Sequence, residues 1–561
     1  MSSLTRSLRS RAAVSVLLIA AAMTLCAPLL LHHDLPRGSD VFAAGHYLQS
    51  FSKALGEGDL FPRWTDRSND DLGAPMFVFY PPLTYYGASL ALVVTGSVVA
   101  AFKLYLVALA LASALAFYAL ARDWIGAGTP AALAATVYLL LPYHVLDMYQ
   151  RFALAESTAF VFLPLVPLFA RRVYRMGRGR DLGGLALAWA GLLFTHLISA
   201  FMLALFLLPW LVWEGRVRLR GLWRPLLGLV CGAALAAPFW LPALLEREHV
   251  NLAWAREMPN GDYRINFIFR DEVLPGLGIK DPVKPHVLRS AHAQLLLAAI
   301  AWWIARRRVA ADRRGTIAAL GLGCLATYLL QLRISTPLWE LVPELPTIQF
   351  PWRFQTLMVL VTALLVGFAL DGLARGGGGW WRRPREALAL GVLLAALALD
   401  LSLASQTTRL KPFDFDESRA RDTAVVRWRQ PALTPVQLRA YREFQRARVE
   451  MPRAGFREGS GRIVVESWLS SSRRLSVSTA GGGTVELRSF WFPGWRATRD
   501  GEPLALQASS RGVVRFSLPP GDHSVELVFG RTTARNGGRA VGALGWLLLP
   551  VSAWLLGRAR R

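Results

Sequence analysis

Residues 39–86 read SDVFAAGHYLQSFSKALGEGDLFPRWTDRSNDDLGAPMFVFYPPLTYY, directly after an apolar run at 12–31. The stretch opens on an acid, passes through a helical middle and a Pro-Arg-Trp corner, and ends in Gly-Ala-Pro and a row of aromatic residues. A connection this long is uncommon in folded proteins unless it is functional or disordered. Its content of Phe, Tyr, Trp and Leu excludes a solvated tail. The expectation is an active-site loop lying on the outer face of a membrane domain.

The rest of the chain supplies that membrane domain. Of 561 residues, 53% are hydrophobic, and apolar runs long enough to cross a bilayer alternate with Arg-rich breaks. The formal charge of +25 does not point to nucleic acid, because the arginine clusters sit beside hydrophobic segments, where cytoplasmic loops of membrane proteins carry them. The polar C-terminal part has mixed charge. Cys26, Cys231 and Cys324 all lie inside apolar runs, without the spacing of a metal site or a disulfide framework. The N-terminus has a basic start but a long apolar run and no clean small-x-small cleavage site, so an uncleaved first span is expected.

Arg6, Arg9 and Arg11 hold the start of that span in the cytoplasm, which places the 39–86 stretch outside. The next apolar run, 83–100, is expected to lie along the outer surface as a juxtamembrane helix, since a crossing there would put every later basic cluster on the wrong side. With that choice five basic clusters fall on one side, and the count reaches about twelve spans. The expected organisation is a membrane domain over 1–405 with its first outer loop at 33–86, an extracytoplasmic domain over 406–536, and a last span with a basic tail over 537–561. Within the soluble part, 423–451 reads as partly helical. The runs GRIVVESW, RLSVSTA, TVELRSFWF, VVRFSL and HSVELVF alternate as strands, and Asp500-Gly501 marks a hairpin. Such spacing predicts a β-sandwich.

Several ionisable residues gather toward the outer face. Asp40 follows Ser39, which can cap the next helix and leave Asp40 in its first turn, free to face a site. RFALAE places Arg151 and Glu156 at the start of a span, LLFTHLISA brings His196 near the end of another, and IQFPWRF sets Arg353 beside Trp352. Charged groups at membrane depth are costly and imply a function or a partner. Arginine suits phosphate through its planar fork, and a carboxylate suits deprotonation of a hydroxyl or metal binding. Together they fit sugar transfer from a polyprenyl phosphate.

The pattern D…ALGEGDLFPRW…LGAPMFVFYPPLTYY, followed by RFALAE, THLISA and FPWRF, resembles bacterial membrane proteins of the 6-pyruvoyl-tetrahydropterin-synthase-related group. The C-terminal FWFPGWRATRDGEPL…LPPGDHSVELVF resembles the outer domain of YfhO-like membrane proteins. Both groups look like GT-C glycosyltransferases. The resemblance implies a GT-C-like polytopic α-helical membrane protein with a C-terminal extracytoplasmic, sandwich-like β-domain, set in the bacterial inner membrane with both termini cytoplasmic. It implies transfer of a sugar from a polyprenyl-phosphate donor to a glycan, lipid or protein acceptor, with no nucleic-acid partner. Asp40 takes the place of the family's first-loop acid, as catalytic base or metal-positioning group. Glu156 is then the second catalytic acid, Arg151 and Arg353 bind the donor phosphate, and His46, His196, Arg63, Trp64 and Tyr80 support the site. Where related sequences carry a histidine four residues after the acid, this chain has Ala44, and His46 comes two later. A divalent metal such as Mg or Mn is open, with Asp40 the candidate ligand, and no pterin is expected. The alternative is a non-enzymatic transporter, flippase or assembly scaffold for lipid-linked glycans; nearly charge-free span centres weigh against transport.

Overall fold

The computed structural model describes residues 3–215, 221–250, 261–269, 283–375, 388, 391–399, 401–402 and 451–558. The first apolar run is a helix, Ser3–Leu31. The stretch that follows it contains the amphipathic helix Val41–Gly56 and a separate apolar helix, Leu83–Thr95. Gly96 ends that helix in the left-handed region, and Ser97 starts the next, Val98–Ile125, by accepting a hydrogen bond from the Ala100 N–H.

Among the described residues eight helices are long and apolar enough to cross a membrane, from Arg11–Leu31 to Thr533–Arg558. The number rises to ten if two bent pairs, Gly128–Leu140 with Pro142–Arg151 and Ala311–Leu329 with Arg333–Leu341, each count as one span. The sequence suggested about twelve. Part of the difference is length. Gly179–Thr195 has 17 residues, or about 25 Å at a helical rise of 1.5 Å per residue, short of a hydrocarbon core of roughly 30 Å. The span expected over 387–404 is described at 388, 391–399 and 401–402, all helical, but not as one continuous helix and so does not enter the count. The helical stretch expected over 423–451 lies outside the described residues except for Met451.

The C-terminal domain is a β-sandwich of two antiparallel sheets. Strands β1 (Ala454–Gly459), β4 (Gly483–Phe490), β8 (Val513–Leu518) and β7 (Gln507–Ala508) form one, in that spatial order. The other runs β2 (Arg462–Trp468), β3 (Ser472–Thr479), β9 (Gly521–Phe529), β5 (Trp495–Arg499) and β6 (Glu502–Leu504). Period-two alternation turns Leu475 and Val477 of β3 and Val525 and Leu527 of β9 into the core. The β5–β6 hairpin turns on Asp500 (φ +53°) and Gly501 (φ +87°), the positive-φ pair of a type I′ turn.

One buried member of this core comes from elsewhere. Trp64 of the first loop packs its ring 4.8 Å from Phe529 and 5.3 Å from Trp495. Nearby, Leu72 O accepts the Phe490 N–H at 2.7 Å, and Glu57, just beyond the loop helix, accepts the Ser470 N–H at 2.6 Å. The first loop thus joins the sandwich to the helical domain. Trp64→Ala should destabilise the sandwich by about 3–5 kcal/mol, the usual cost of emptying a buried aromatic site. Limited proteolysis within 451–530 should show it as faster cleavage; unchanged cleavage would mean that the sandwich core closes without Trp64.

Candidate active site

The helix that begins at Gly128 ends at Leu140, and Pro142 starts a new direction bent by 43°. The backbone then widens into a π-helical turn, Asp147–Arg151, and leaves it through Phe152 at φ +54°. A π-turn closed by a left-handed, bulky residue is strained backbone of the kind that collects at functional sites. Leu154 starts the next helix, with Glu156 in its first turn.

The first loop lies directly on this break. Ser39 N–H donates to Gln150 O at 3.0 Å and Asp40 N–H to Arg151 O at 2.9 Å. Gly38 permits the approach, because a Cβ there would stand 2.4 Å from Phe152 Cβ. Asp40 itself occupies the N-cap position of Val41–Gly56 (φ −105°, ψ 4°), and its side chain makes no capping hydrogen bond. This corrects the expectation that Ser39 caps and Asp40 enters the first turn. The consequence is the one anticipated, since the carboxylate is not spent on the helix end.

Asp40 is half-buried and within electrostatic reach of Arg151, Arg353 and Glu156. Loss of solvation pushes its carboxyl above the ordinary carboxylate range, and the two guanidinium groups only partly reverse this. Tyr80 borders the same space, between Tyr47 and Tyr85 at ring distances of 5.8 and 6.0 Å. Burial and then the Asp40 charge push its phenol up to about 12, so it remains a neutral donor.

The arginines are held by a buried network. Arg151 Nη1 donates to Glu156 Oε2 at 2.6 Å, to Tyr143 Oη at 3.1 Å and to Asp147 Oδ1. Its guanidinium lies 4.8 Å over the Trp352 ring. Arg353 donates from Nη1 to Ile348 O at 2.8 Å, stands over Phe350, and approaches Glu156 Oε2 at 3.8 Å through an Nε that has no hydrogen-bond partner among the described residues. Glu156, 1% exposed, receives Tyr143 Oη at 3.0 Å and Thr356 Oγ1 at 2.7 Å on Oε1. Both of its oxygens are therefore engaged. His196 pairs through Nδ1 with Ser199 Oγ at 2.7 Å and lies within electrostatic reach of Glu156, Arg353 and Arg151.

The structure thus brings together Asp40, Tyr80, Arg151, Glu156, His196 and Arg353. It separates three other expected members. His46 points elsewhere and pairs with Ser68 Oγ at 3.0 Å; six positions after Asp40, it sits on another face of the helix. Trp64 belongs to the sandwich core. Arg63 donates to Pro238 O, under the sandwich. Sequence reasoning missed Tyr143, Asp147 and Thr356. Asp147 and Arg151 stand four apart, a spacing that also marks an ordinary exposed helix pair. Among the described residues no three His, Cys, Asp or Glu side chains form a metal-ligand group.

Residues 77–408 match the family model of the 6-pyruvoyl-tetrahydropterin synthase related domain, a membrane protein. No curated protein matches the sequence. Among solved structures the chain is similar to the arabinofuranosyltransferase AftD from mycobacteria (TM-score 0.47, 18% identity), over 70% of this chain and 27% of that one. It is also similar to ArnT from Cupriavidus metallidurans bound to undecaprenyl phosphate (TM-score 0.44, 16% identity; 80% and 73% covered). A third similarity is to the Archaeoglobus fulgidus oligosaccharyltransferase tethered with an acceptor peptide (TM-score 0.43, 14% identity; 75% and 59% covered).

Proposed function

On the premise that the chain belongs to the 6-pyruvoyl-tetrahydropterin synthase related family of membrane proteins, we propose that it is an integral-membrane glycosyltransferase. Its donor is a sugar linked through phosphate to a polyprenol, and its acceptor a hydroxyl-bearing glycan, lipid or protein of the bacterial envelope, met at the outer face of the inner membrane. The observation that carries this reading is the backbone hydrogen bond from Asp40 to Arg151, which sets a carboxylate not spent on capping its helix beside buried Arg151 and half-buried Arg353.

Asp40 takes the proton of the acceptor hydroxyl as the oxygen attacks the anomeric carbon. The bond from that carbon to the phosphate oxygen breaks, the anomeric configuration inverts, and polyprenyl phosphate leaves with the negative charge. Arg151 and Arg353 stabilise that charge; fixed cations in a poorly solvated site act strongly on a developing anion. All three Arg151 hydrogen bonds come from Nη1, which leaves Nε and Nη2 to face a phosphate. Glu156, with no oxygen to spare, serves as a positioning residue for both arginines rather than as a second base. Divalent metals take several oxygen ligands; cationic neighbours around Asp40 and a fully engaged Glu156 do not fit one, and no step passes through a metal.

Two expected results follow. A base with a raised carboxyl is active only when deprotonated, so kcat/KM should fall on acidification, with the half-point above the ordinary carboxylate value of roughly 4. A flat profile from pH 4 to 7 would remove Asp40 from that role. Arg353→Ala should weaken the donor complex by about 1.5–3 kcal/mol, the range for a charge-assisted hydrogen bond, read as a raised KM for the polyprenyl-phosphate sugar in membranes. Unchanged KM and turnover would overturn the phosphate assignment.

A further inference from the structure

The Pro-Arg-Trp corner of the first loop carries a second cationic site that the proposed reaction does not use. In the helix Trp223–Leu245, Pro242 has no N–H to donate to the carbonyl of Pro238. Arg63 Nη2 donates to that carbonyl instead. Nε and Nη1 are buried with no hydrogen-bond partner among the described residues, in a residue only 6% exposed. The group lies 4.3 Å over the Phe61 ring and within electrostatic reach of Arg535, Arg539 and Glu246.

Arg535 is held more completely. It donates to Glu246 Oε2 at 2.9 Å, to Pro493 O at 3.0 Å and to Gly530 O at 2.7 Å, while its Nε has no partner among the described residues. Glu246 is also bonded by Thr532 Oγ1. The other nearby acid, Asp59, accepts the Phe61 N–H at 3.1 Å and a hydrogen bond from Ser471. Among the described residues, three arginines (63, 535 and 539) therefore meet two carboxylates (59 and 246), leaving one positive charge and three buried, unpaired N–H donors. Buried donors without partners are rare and call for a water or an ion. A like-charged pair short of carboxylates favours an anion over water.

The place identifies the anion's source. The cluster lies where the helix Trp223–Leu245 ends and Thr533–Arg558 begins, both long and apolar enough to cross the membrane. Exposed Arg539 stands one turn after buried Arg535 on the same helix. Phosphate at the end of a membrane-crossing helix is the phosphate of a lipid headgroup. We propose that Arg63, Arg535 and Arg539 bind the headgroup phosphate of an anionic phospholipid, on the membrane side that carries the first loop and the β-sandwich. The lipid then fastens the sandwich, the first loop and the last span to one another, independently of Arg151 and Arg353.

The test uses the full-length protein in detergent, with thermal unfolding followed after adding dioleoyl phosphatidylglycerol, dioleoylglycerol or inorganic phosphate. Phosphatidylglycerol should raise the midpoint of the wild type by several degrees, and dioleoylglycerol, which lacks the phosphate, should not. The shift should be largely lost in Arg63→Gln and reduced in Arg539→Gln, an exposed position where the fold is not at risk. Arg353→Gln should keep it, which separates this site from the one beside Asp40. Native mass spectrometry should show a phospholipid retained by the wild type and lost by Arg63→Gln. An equal shift in wild type, Arg63→Gln and Arg539→Gln would overturn the site. An equal shift with dioleoylglycerol, or with inorganic phosphate alone, would overturn the lipid headgroup as its ligand.

Discussion

Glu156→Ala is expected to abolish turnover and to unfold the protein at a clearly lower temperature. The carboxylate is the shared anchor of Arg151, Tyr143 and Thr356, and the nearest acid to Arg353 Nε. Removing one partner of a buried ion pair leaves the other charge without compensation, at a cost of about 3–5 kcal/mol. Asp147 offsets part of this, because it also holds Arg151 Nη1, but Arg353 loses the one acid that lies in ion-pair range among the described residues. Glu156→Gln separates the two effects. It keeps an acceptor for Tyr143 and Thr356, so part of the stability should return, while donor binding remains impaired. A Glu156→Ala protein with the wild-type unfolding midpoint and normal donor KM would contradict the network.

Asp40→Asn should behave in the opposite way for stability and still be inactive. Its carboxyl is raised by poor solvation, outweighing Arg151 and Arg353. A carboxyl raised in the folded state favours folding when protonated. Its contribution is complete below the ordinary carboxylate pKa and is lost as pH climbs through the raised value, so at neutral pH the ionised group opposes folding. The amide carries no such charge. The midpoint of Asp40→Asn at pH 7 should therefore equal or exceed that of the wild type, whereas turnover should fall by about 10²–10⁴-fold, the range for loss of a general base. Stability given up to hold a charge in place is the usual signature of an active site. A lower midpoint with proportionate loss of turnover would instead make Asp40 a structural residue.

Much of this was legible in the chain itself. The match over residues 77–408 bears out the family resemblance. The strands could be found because alternation is local: RLSVSTA and HSVELVF each place every second residue inward, and Asp500-Gly501 admits few conformations other than a hairpin turn. The gathering of Asp40, Arg151, Glu156, His196 and Arg353 could be anticipated because charged residues are rare in apolar runs and each stood near an end of its helix. What escaped was the direction of side chains along the first loop. Read as one functional stretch, it serves three places, with Asp40 on the π-turn, Arg63 on the Pro238 carbonyl of the helix Trp223–Leu245 and Trp64 in the sandwich core. The 16-residue helix Val41–Gly56, about 24 Å long, carries the chain from the first place to the others, and no local pattern states where such a rod points. Thr356 and Tyr143 were hidden for a related reason: single hydroxyls at helix ends carry no signal until another helix brings a carboxylate to them.

The most direct test follows release of polyprenyl phosphate from a panel of radiolabelled polyprenyl-phosphate sugars, using membranes with wild-type or Asp40→Asn protein at matched expression and envelope extract as acceptor. The account predicts that the wild type releases polyprenyl phosphate from at least one donor, and that the Asn variant releases essentially none while still binding that donor. Equal release by both proteins would contradict it.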